Sequence, residues 1–386
     1  MHIESLKRYT KITTSTISRY LLGLNKNHNI THLTFEVTNL CNSKCEMCNI
    51  WANQDNSGQL SIEQIRTVFK DKSLRNLESV ILTGGEVFLR DDIVEIVESI
   101  WTINYKVRIS LSTNGILPEK VLDVANKLAA KKIPIIYGVS LDGVGVKHDN
   151  RRRIPGNFVK IDEILLPGLK SLSPDLVSIG IGHCLDDYGS DTFEELRAYC
   201  EINEVGLATQ MIEDFDYYLP SQKQSKSNDG DWSKIHFHKL GFEGENRLLK
   251  KEIYADRTKY NNIINKLPAS VHHNRLINVI NGNDSIYECS SFRNFFLLKY
   301  DGSVTPCLRF CTQVLGNVKE YSLTEILDSN QRLSAVNEIL KCNGCLNTWC
   351  TDWSMEKNAW SFKKEILKWL LLKFSDKKKS KYSIKY

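Results

Sequence analysis

Three cysteines near the start of the chain, Cys41, Cys45 and Cys48, stand in a CxxxCxxC spacing. The preceding run LTFEV reads as a short buried strand, so the thiols fall on the loop that leaves its C-terminal end. Thiolates this close together can hold one soft metal centre. An iron–sulfur cube bound by three cysteines keeps one iron without a protein ligand, and that iron can bind a small molecule. The alternatives are a partial zinc site and buried thiols without a metal.

Small and polar residues follow the apolar strands that come next in the chain. In ESVILTGGE, paired glycines follow the apolar residues 80–82, where they let a ligand approach the backbone closely. The carboxylate beside them can accept a hydrogen bond from an ammonium group. VRISLSTNG and IIYGVSLDG end two further strands in the same manner. The three polar sets are Gly84, Gly85 and Glu86, then Ser112, Thr113 and Asn114, then Ser140 and Asp142.

Helical patterns separate these strands, over residues 61–71, 90–101 and 118–132. A repeated order of strand, polar loop and helix is typical of parallel βα units. Each loop has its polar residues at the C-terminal end of a strand, which is where α/β barrels assemble their active sites. The sequence therefore predicts an α/β fold with one shared site at that end of the sheet.

Over residues 31–355 the chain resembles the radical S-adenosylmethionine (AdoMet) superfamily. The resemblance implies a partial (β/α)6 TIM-like barrel. It also implies that Cys41, Cys45 and Cys48 bind a 4Fe–4S cluster whose open iron is chelated by the amino and carboxylate groups of AdoMet. The carried-over AdoMet contacts are Gly84, Gly85 and Glu86 at the amino group, Ser112, Thr113, Asn114, Ser140 and Asp142 along the ribose and methionyl side, Arg152 at the carboxylate, and Met47 near the adenine.

Six of the eleven cysteines lie after residue 288. Three of them flank a hairpin pattern at Asp301-Gly302, two form a later CNGC pair, and Cys350 follows that pair. A hairpin cysteine set with a distant CxxC is a metal-site layout. It resembles the C-terminal SPASM or twitch extension of radical AdoMet enzymes, which implies one auxiliary 4Fe–4S cluster. A zinc ribbon is the alternative. The expected ligands are Cys289, Cys307, Cys342 and Cys345, with Cys350 as the next candidate.

The composition is that of a soluble enzyme, with 41% hydrophobic and 25% charged residues in a 386-residue chain. Because the chain has eleven cysteines and no signal peptide, we expect a reducing cytosol in which the cysteines bind metal and do not form disulfides. No apolar run is long enough to form a membrane-spanning helix. We expect a cytoplasmic protein. The predicted segments are a basic helical extension (1–30), the barrel (31–220), a linker with bridging helices (221–284), an auxiliary iron–sulfur domain (285–355) and a basic amphipathic tail (356–386).

The tail from Ser361 to Tyr386 has a net charge of +7, whereas the whole chain has +5. It is either a helix packed on the barrel or an interfacial helix in peripheral contact with an anionic membrane. Because the basic charge is confined to the tail, nucleic acid is not an expected partner. His236 and His238 are either substrate contacts or structural histidines.

The resemblance implies that a reduced cluster cleaves AdoMet to a radical that removes hydrogen from a C–H bond, with an electron donor such as flavodoxin or ferredoxin as partner. Oxidation through the auxiliary cluster is favoured over epimerisation, for which Cys184 or Cys311 could return the hydrogen atom. Peptide-modifying relatives often carry a separate domain that recognises a leader peptide, and the roughly 30 residues before the first strand are too few for one. This favours a sugar, cyclitol or other small polar metabolite over a peptide as the substrate. A peptide-modifying maturase and a structural metal-binding scaffold are the remaining alternatives.

Overall fold

The computed structural model describes residues 29–48, 50–52, 54–185, 190–211, 289–308 and 313–339. The strands are β1 (His32–Thr38), β2 (Ser79–Gly84), β3 (Arg108–Thr113), β4 (Ile135–Ser140), β5 (Val177–Leu185), β6 (Gly206–Met211), β7 (Phe295–Leu298), β8 (Ser303–Thr305) and β9 (Gly316–Asn317). The helices are α1 (Ile62–Phe69), α2 (Ile93–Trp101), α3 (Pro118–Ala130), α4 (Val146–Arg152), α5 (Asn157–Lys160), α6 (Leu166–Lys170), α7 (Ser190–Ile202), α8 (Leu323–Asp328) and α9 (Asn330–Ile339).

The described strands form one open sheet in the order β6-β5-β4-β3-β2-β1-β7-β8-β9. Each of the first six strands is parallel to its neighbours, and helices connect most of them. Parallel strands need such crossover connections, which place all their C-terminal ends at one edge. The predicted α/β fold with six parallel strands in an unclosed, TIM-like barrel is therefore confirmed.

Strand β1 lies inside the sheet, and all seven of its residues are buried. It pairs with β2 on one side and with β7 on the other, and both pairings are parallel. β7, β8 and β9 then continue the sheet as an antiparallel meander, which contains the predicted hairpin at Asp301-Gly302. Gly302 has a φ of +91°, a conformation that favours glycine. The hairpin of the predicted auxiliary domain is thus hydrogen bonded to the strand that precedes Cys41.

Serine caps fix the starts of α1 and α8. α1 starts after Ser61, whose side chain forms a capping box with Gln64, and it buries Ile65, Val68 and Phe69. The helix predicted from residue 90 begins instead at Ile93. Residues Val87–Leu89 form a separate 3-10 turn capped by Glu86, and Arg90 is extended.

Strands β3 and β4 have one fully buried face and one accessible face. Leu111 and Tyr137 are buried, whereas Ser112, Gly138 and Ser140 keep part of their surface accessible. Because side chains alternate along a strand, the accessible set lies on a single face of the sheet. This face carries small residues towards the C-terminal strand ends.

The described parts of residues 28–240 and 291–338 belong to one compact unit, and Cys289 lies outside it. None of the helices in the ranges given above is long and apolar enough to cross a membrane. Several predictions concern residues outside the described ranges, namely His236, His238, Cys311, Cys342, Cys345, Cys350, residues 1–28, the linker 221–284, and the tail 356–386.

Candidate active site

The three N-terminal cysteines lie on the loop that follows β1. Cys45 is buried, and Cys41 and Cys48 are half-buried. Burial raises the pKa of the Cys41 thiol to about 12, and burial also raises the pKa of the Cys48 thiol. Buried thiolates are costly without a positive partner, and a bound metal centre supplies one. The donor set therefore fits a thiolate-ligated cluster.

The sulfur of Cys45 already has two polar neighbours. Ser43 Oγ lies 2.8 Å from Cys45 Sγ, and a guanidinium nitrogen of Arg152 lies 3.8 Å from it. The backbone N–H of Glu46 donates to the carbonyl of Arg151, so α4 also holds the loop through its main chain. Hydrogen bonds to ligand sulfurs are common around iron–sulfur clusters. These contacts support the assignment of Cys45 as a cluster ligand.

Among the described residues, no three His, Cys, Asp or Glu side chains are arranged to hold a single metal ion. A cluster in which each cysteine binds a different iron does not require that arrangement. The fit of this loop to a cluster therefore rests on its buried thiols and on the donors around Cys45.

The paired glycines bring the cysteine loop against the end of β2. A Cβ atom on Gly85 would lie 1.9 Å from the carbonyl oxygen of Leu40, and one on Gly84 would lie 2.2 Å from that of Thr38. Gly84 also has a φ of +125°. The N–H groups of Gly85 and Glu86 donate to the Thr38 and Leu40 carbonyls at 2.9 and 2.8 Å. The backbone that approaches these glycines is thus the protein's own loop, and contact with AdoMet stays a prediction.

The Glu86 carboxylate connects the end of β2 to the end of β3. It is 1% exposed. One oxygen, Oε1, accepts from Thr113 Oγ1 at 2.9 Å and from the N–H of Phe88 at 3.3 Å. The other, Oε2, accepts from the N–H of Asn114 at 2.7 Å. Since a carboxylate oxygen has two lone pairs, Oε2 retains capacity for one further donor.

Burial raises the pKa of Glu86 to about 7, although the hydrogen bonds from Asn114, Thr113 and Phe88 lower it. Near neutral pH the carboxyl group is therefore close to its midpoint of ionisation. A cationic ligand at Oε2 would favour the ionised form.

Asp142 and Arg152 form a buried ion pair next to the cysteine loop. Arg152 Nε donates to Asp142 Oδ2 at 2.5 Å, and Asp142 Oδ1 accepts from the N–H of Cys184 at 2.8 Å. Although burial opposes ionisation, Arg152 holds the pKa of the Asp142 carboxyl below its usual range. Asp142 has no exposed surface, so its carboxylate orients Arg152. Its direct contact with AdoMet stays a prediction.

A chain of polar residues that sequence reasoning missed connects Asp142 to Asn114. The N–H of Asp142 donates to His148 Nδ1 at 3.1 Å, and His148 Nε2 lies 3.1 Å from Asn157 Nδ2. Asn157 donates to the carbonyl of Asn114 at 2.9 Å, and Asn114 donates to Asn42 Oδ1 at 2.8 Å. Burial lowers the pKa of His148 to about 4, so the imidazole is neutral. His148 and Asn157 both lie in the run HDNRRRIPGNF at residues 148–158, which is the sequence feature that could have indicated their role.

Arg90 is a second residue that sequence reasoning missed. The residue is 5% exposed, and its guanidinium donates to the carbonyls of Val37 and Leu60 at 2.8 and 3.1 Å. It also pairs with Asp92 at 2.6 Å. Because Val37 lies one residue before the end of β1, Arg90 fixes the strand end from which the cysteine loop departs.

The other predicted contacts differ in accessibility. Thr113 and Asn114 are buried, and their polar atoms bind within the protein. Ser112 and Ser140 are half-buried on the accessible face, where their hydroxyls have no hydrogen-bond partner in the described part of the chain. Met47 is half-buried on the cysteine loop. Among the predicted hydroxyl contacts, the two serines are therefore the accessible ones.

Of the predicted thiols elsewhere, Cys184 lies near the C-terminal end of β5 and is half-buried. Burial raises the pKa of the Cys184 thiol to about 12. Cys307 follows β8 and is half-buried, and Ser291 Oγ donates to the carbonyl of the preceding Pro306 at 2.6 Å. Cys289 is half-buried as well.

Two families match the chain. Residues 35–166 match the radical SAM superfamily, and residues 289–347 match SPASM, an iron–sulfur cluster-binding domain. The first match contains the cysteine loop, Glu86, Asp142 and Arg152. The second contains Cys289 and Cys307.

Individual proteins show the same similarity. The chain is 25% identical over 273 residues to a probable GTP 3′,8-cyclase of Methanococcus maripaludis, covering 70% of this chain and 83% of that protein. It is 27% identical over 169 residues to the pre-heme d1 synthase of Dinoroseobacter shibae, covering 43% of this chain but only 39% of that protein. A solved structure, native anSMEcpe with bound AdoMet and Kp18Cys peptide, is similar in fold with a TM-score of 0.59. It is 18% identical, and the alignment covers 88% of this chain and 99% of that one.

Proposed function

Because the chain is a radical SAM superfamily enzyme with a C-terminal SPASM iron–sulfur domain, we propose that it cleaves AdoMet reductively and removes hydrogen from a C–H bond of a small polar substrate. Both matched domains are of kinds that bind 4Fe–4S clusters. The alternative of a non-enzymatic scaffold is set aside.

The observation that carries the proposal is the convergence of three sets of residues at the C-terminal ends of parallel strands. The cysteine loop follows β1, Glu86 follows β2, and Asp142 with Arg152 follows β4. The N–H of Glu86 donates to the Leu40 carbonyl of the cysteine loop, and Arg152 lies 3.8 Å from Cys45 Sγ, so one acidic acceptor and one guanidinium lie beside the thiols. AdoMet has an amino group and a carboxylate that such a pair can recognise.

Each residue then has a role that its contacts support. Oε2 of Glu86 accepts from the AdoMet amino group, and Arg152 meets the carboxylate. Ser112 and Ser140, whose hydroxyls lie on the accessible face, hydrogen bond to the ribose. Gly84 and Gly85 support this site by docking the cysteine loop.

When bound, the reduced cluster and AdoMet supply a 5′-deoxyadenosyl radical that can take a hydrogen atom from an unactivated C–H bond. The protein positions the substrate and excludes water. The accessible face of β3 and β4 offers small side chains, which leave room for a ligand next to Ser112 and Ser140.

We favour a small polar metabolite as the substrate. The relative that is similar over 83% of its own length is named for a nucleotide, GTP, which is a small polar molecule. We favour net oxidation over epimerisation, because an auxiliary cluster with four cysteine ligands is closed to substrate and suited to electron transfer.

Anaerobic reconstitution tests the cofactor assignment. We expect about eight irons per chain and about four fewer in the variant with Cys41, Cys45 and Cys48 all replaced by alanine. After dithionite reduction, the wild-type protein should form 5′-deoxyadenosine and this triple variant should not. Cys200→Ala is the matched control, because Cys200 is buried on α7 and belongs to no predicted site. Equal 5′-deoxyadenosine formation by the triple variant would contradict the proposal.

The fate of the substrate is read from product mass in deuterated water. Oxidation gives a product two hydrogens lighter. Epimerisation gives a product with the same formula as the substrate, in which one deuterium replaces one hydrogen. Cys184→Ala or Cys311→Ala would abolish this incorporation of deuterium. Turnover of a linear peptide, with none of small sugars, cyclitols or nucleotides, would overturn the assigned substrate class.

A further inference from the structure

Arg152 touches both a predicted cluster ligand, Cys45, and the buried carboxylate of Asp142. Its Nε donates to Asp142 Oδ2 at 2.5 Å, while the terminal nitrogen Nη1 lies 3.8 Å from Cys45 Sγ. The residue is 9% exposed. A guanidinium can make both contacts because its donors form a rigid planar fork, which an ammonium group lacks.

A cation at a cluster ligand has a predictable electrostatic effect. Reduction adds a negative charge to a centre that its thiolates already make anionic. Hydrogen bonds to the sulfurs and nearby positive charge stabilise the reduced form, so they raise the reduction potential. The effect is strong in a buried site, where solvent screens charges weakly.

Asp142 opposes part of that effect. Its carboxylate has no exposed surface and pairs with Arg152, so the cluster experiences the guanidinium charge together with its counter-charge. The N–H of Cys184 donates to Asp142 Oδ1 at 2.8 Å and holds the carboxylate in place, and the ring of His183 lies 3.6 Å from the same oxygen. The geometry of the pair therefore fixes both the direction and the distance of the positive charge at Cys45.

We propose that Arg152 sets the reduction potential of the N-terminal cluster through its contact with Cys45 Sγ, and that Asp142 positions the guanidinium and attenuates its charge. The inference rests on the proposed function, since it requires a cluster at Cys41, Cys45 and Cys48. It differs from the role of Arg152 at the AdoMet carboxylate, because a potential measured without AdoMet is insensitive to that role.

The experiment is a redox titration of the full-length reconstituted protein in the absence of AdoMet. Electron paramagnetic resonance measures the reduced cluster at each potential. The spectrum of the variant lacking all three N-terminal cysteines supplies the auxiliary-cluster signal for subtraction. We expect Arg152→Met to lower the ratio of reduced to oxidised cluster about tenfold at a fixed potential, a shift of ~59 mV for one electron. Arg152→Lys should shift it less, because the charge remains.

Two further variants make the test sharper. Asp142→Asn removes the counter-charge and should raise the potential, opposite in sign to Arg152→Met. Arg153→Met is the matched control, since Arg153 follows Arg152 but is half-exposed and pairs with Glu46 at 3.6 Å. It should leave the potential unchanged.

Unchanged potentials in both Arg152 variants, with about eight irons per chain retained, would overturn the inference and leave the proposed function intact. Shifts of the same sign in Arg152→Met and Asp142→Asn would overturn it as well. Loss of the cluster from both Arg152 variants but not from Arg153→Met would assign Arg152 to cluster assembly instead. Absence of any N-terminal cluster in the wild-type protein would refute the proposed function itself.

Discussion

Gly85→Ala tests the conclusion that the paired glycines accommodate the protein's own loop. The added Cβ would lie 1.9 Å from the Leu40 carbonyl oxygen and 3.1 Å from Cys41 Cβ. Relief of the first contact requires a movement of at least ~1 Å, which stretches the two backbone hydrogen bonds to residues 38 and 40 beyond bonding range. Two lost hydrogen bonds cost about 1–3 kcal/mol in all.

The assay compares Gly85→Ala with Gly180→Ala under anaerobic conditions. A Cβ on Gly180 meets no atom within 4 Å, so this control carries the same change in unfolded-chain entropy without the clash. We expect Gly85→Ala to lower both the iron retained after desalting and the urea midpoint, whereas Gly180→Ala should preserve both. If Gly85→Ala retains wild-type iron and lies within ~0.5 kcal/mol of the control, the steric reasoning is wrong.

Two further predictions concern buried charged groups. Because burial raises the pKa of Glu86 to about 7, the folded protein holds a proton that the unfolded chain loses near pH 4.5. Raising the pH from about 5 to about 8 should therefore lower the free energy of unfolding by up to ~3 kcal/mol, and urea titrations of Glu86→Gln should show a flatter pH profile. Identical profiles would contradict this. Arg90→Met should cost about 3–5 kcal/mol, since it leaves the Val37 and Leu60 carbonyls without their donor and Asp92 without its cation. Exposed Arg66→Met, measured by the same titration, should change stability by less than ~1 kcal/mol, and equal losses in the two variants would refute the anchoring role.

The sequence predicted where the site would assemble, because parallel strands bring their C-terminal ends to one edge whatever the details of packing. It also placed Glu86, Ser112 and Ser140 at strand ends, where the structure has them. These features depend on local pattern, which periodicity and turn residues reveal.

Other features depend on partners distant in sequence, and local pattern does not encode them. Gly85 is required by the path of residue 40, and Arg90 is required by the carbonyl of Val37, 53 positions away. His148 reads as an ordinary helical residue until the fold brings the N–H of Asp142 to its ring. The run RDD predicts that α2 begins at Arg90, three residues before its observed start, because local pattern does not show that Arg90 donates to the carbonyls of Val37 and Leu60.

The position of β1 between β2 and β7 has a consequence for biosynthesis. His32 pairs with Ser79 on one side, but its partner on the other side is Phe295. At a translation rate of roughly 5–20 residues per second, that second partner emerges on the order of 10–50 s later. During this interval one edge of β1, a strand that the native fold buries completely, has its N–H and C=O groups unpaired, which makes it a template for pairing with another chain. Nascent chains that stall between the two partners should therefore be the species most prone to aggregate and most dependent on chaperones.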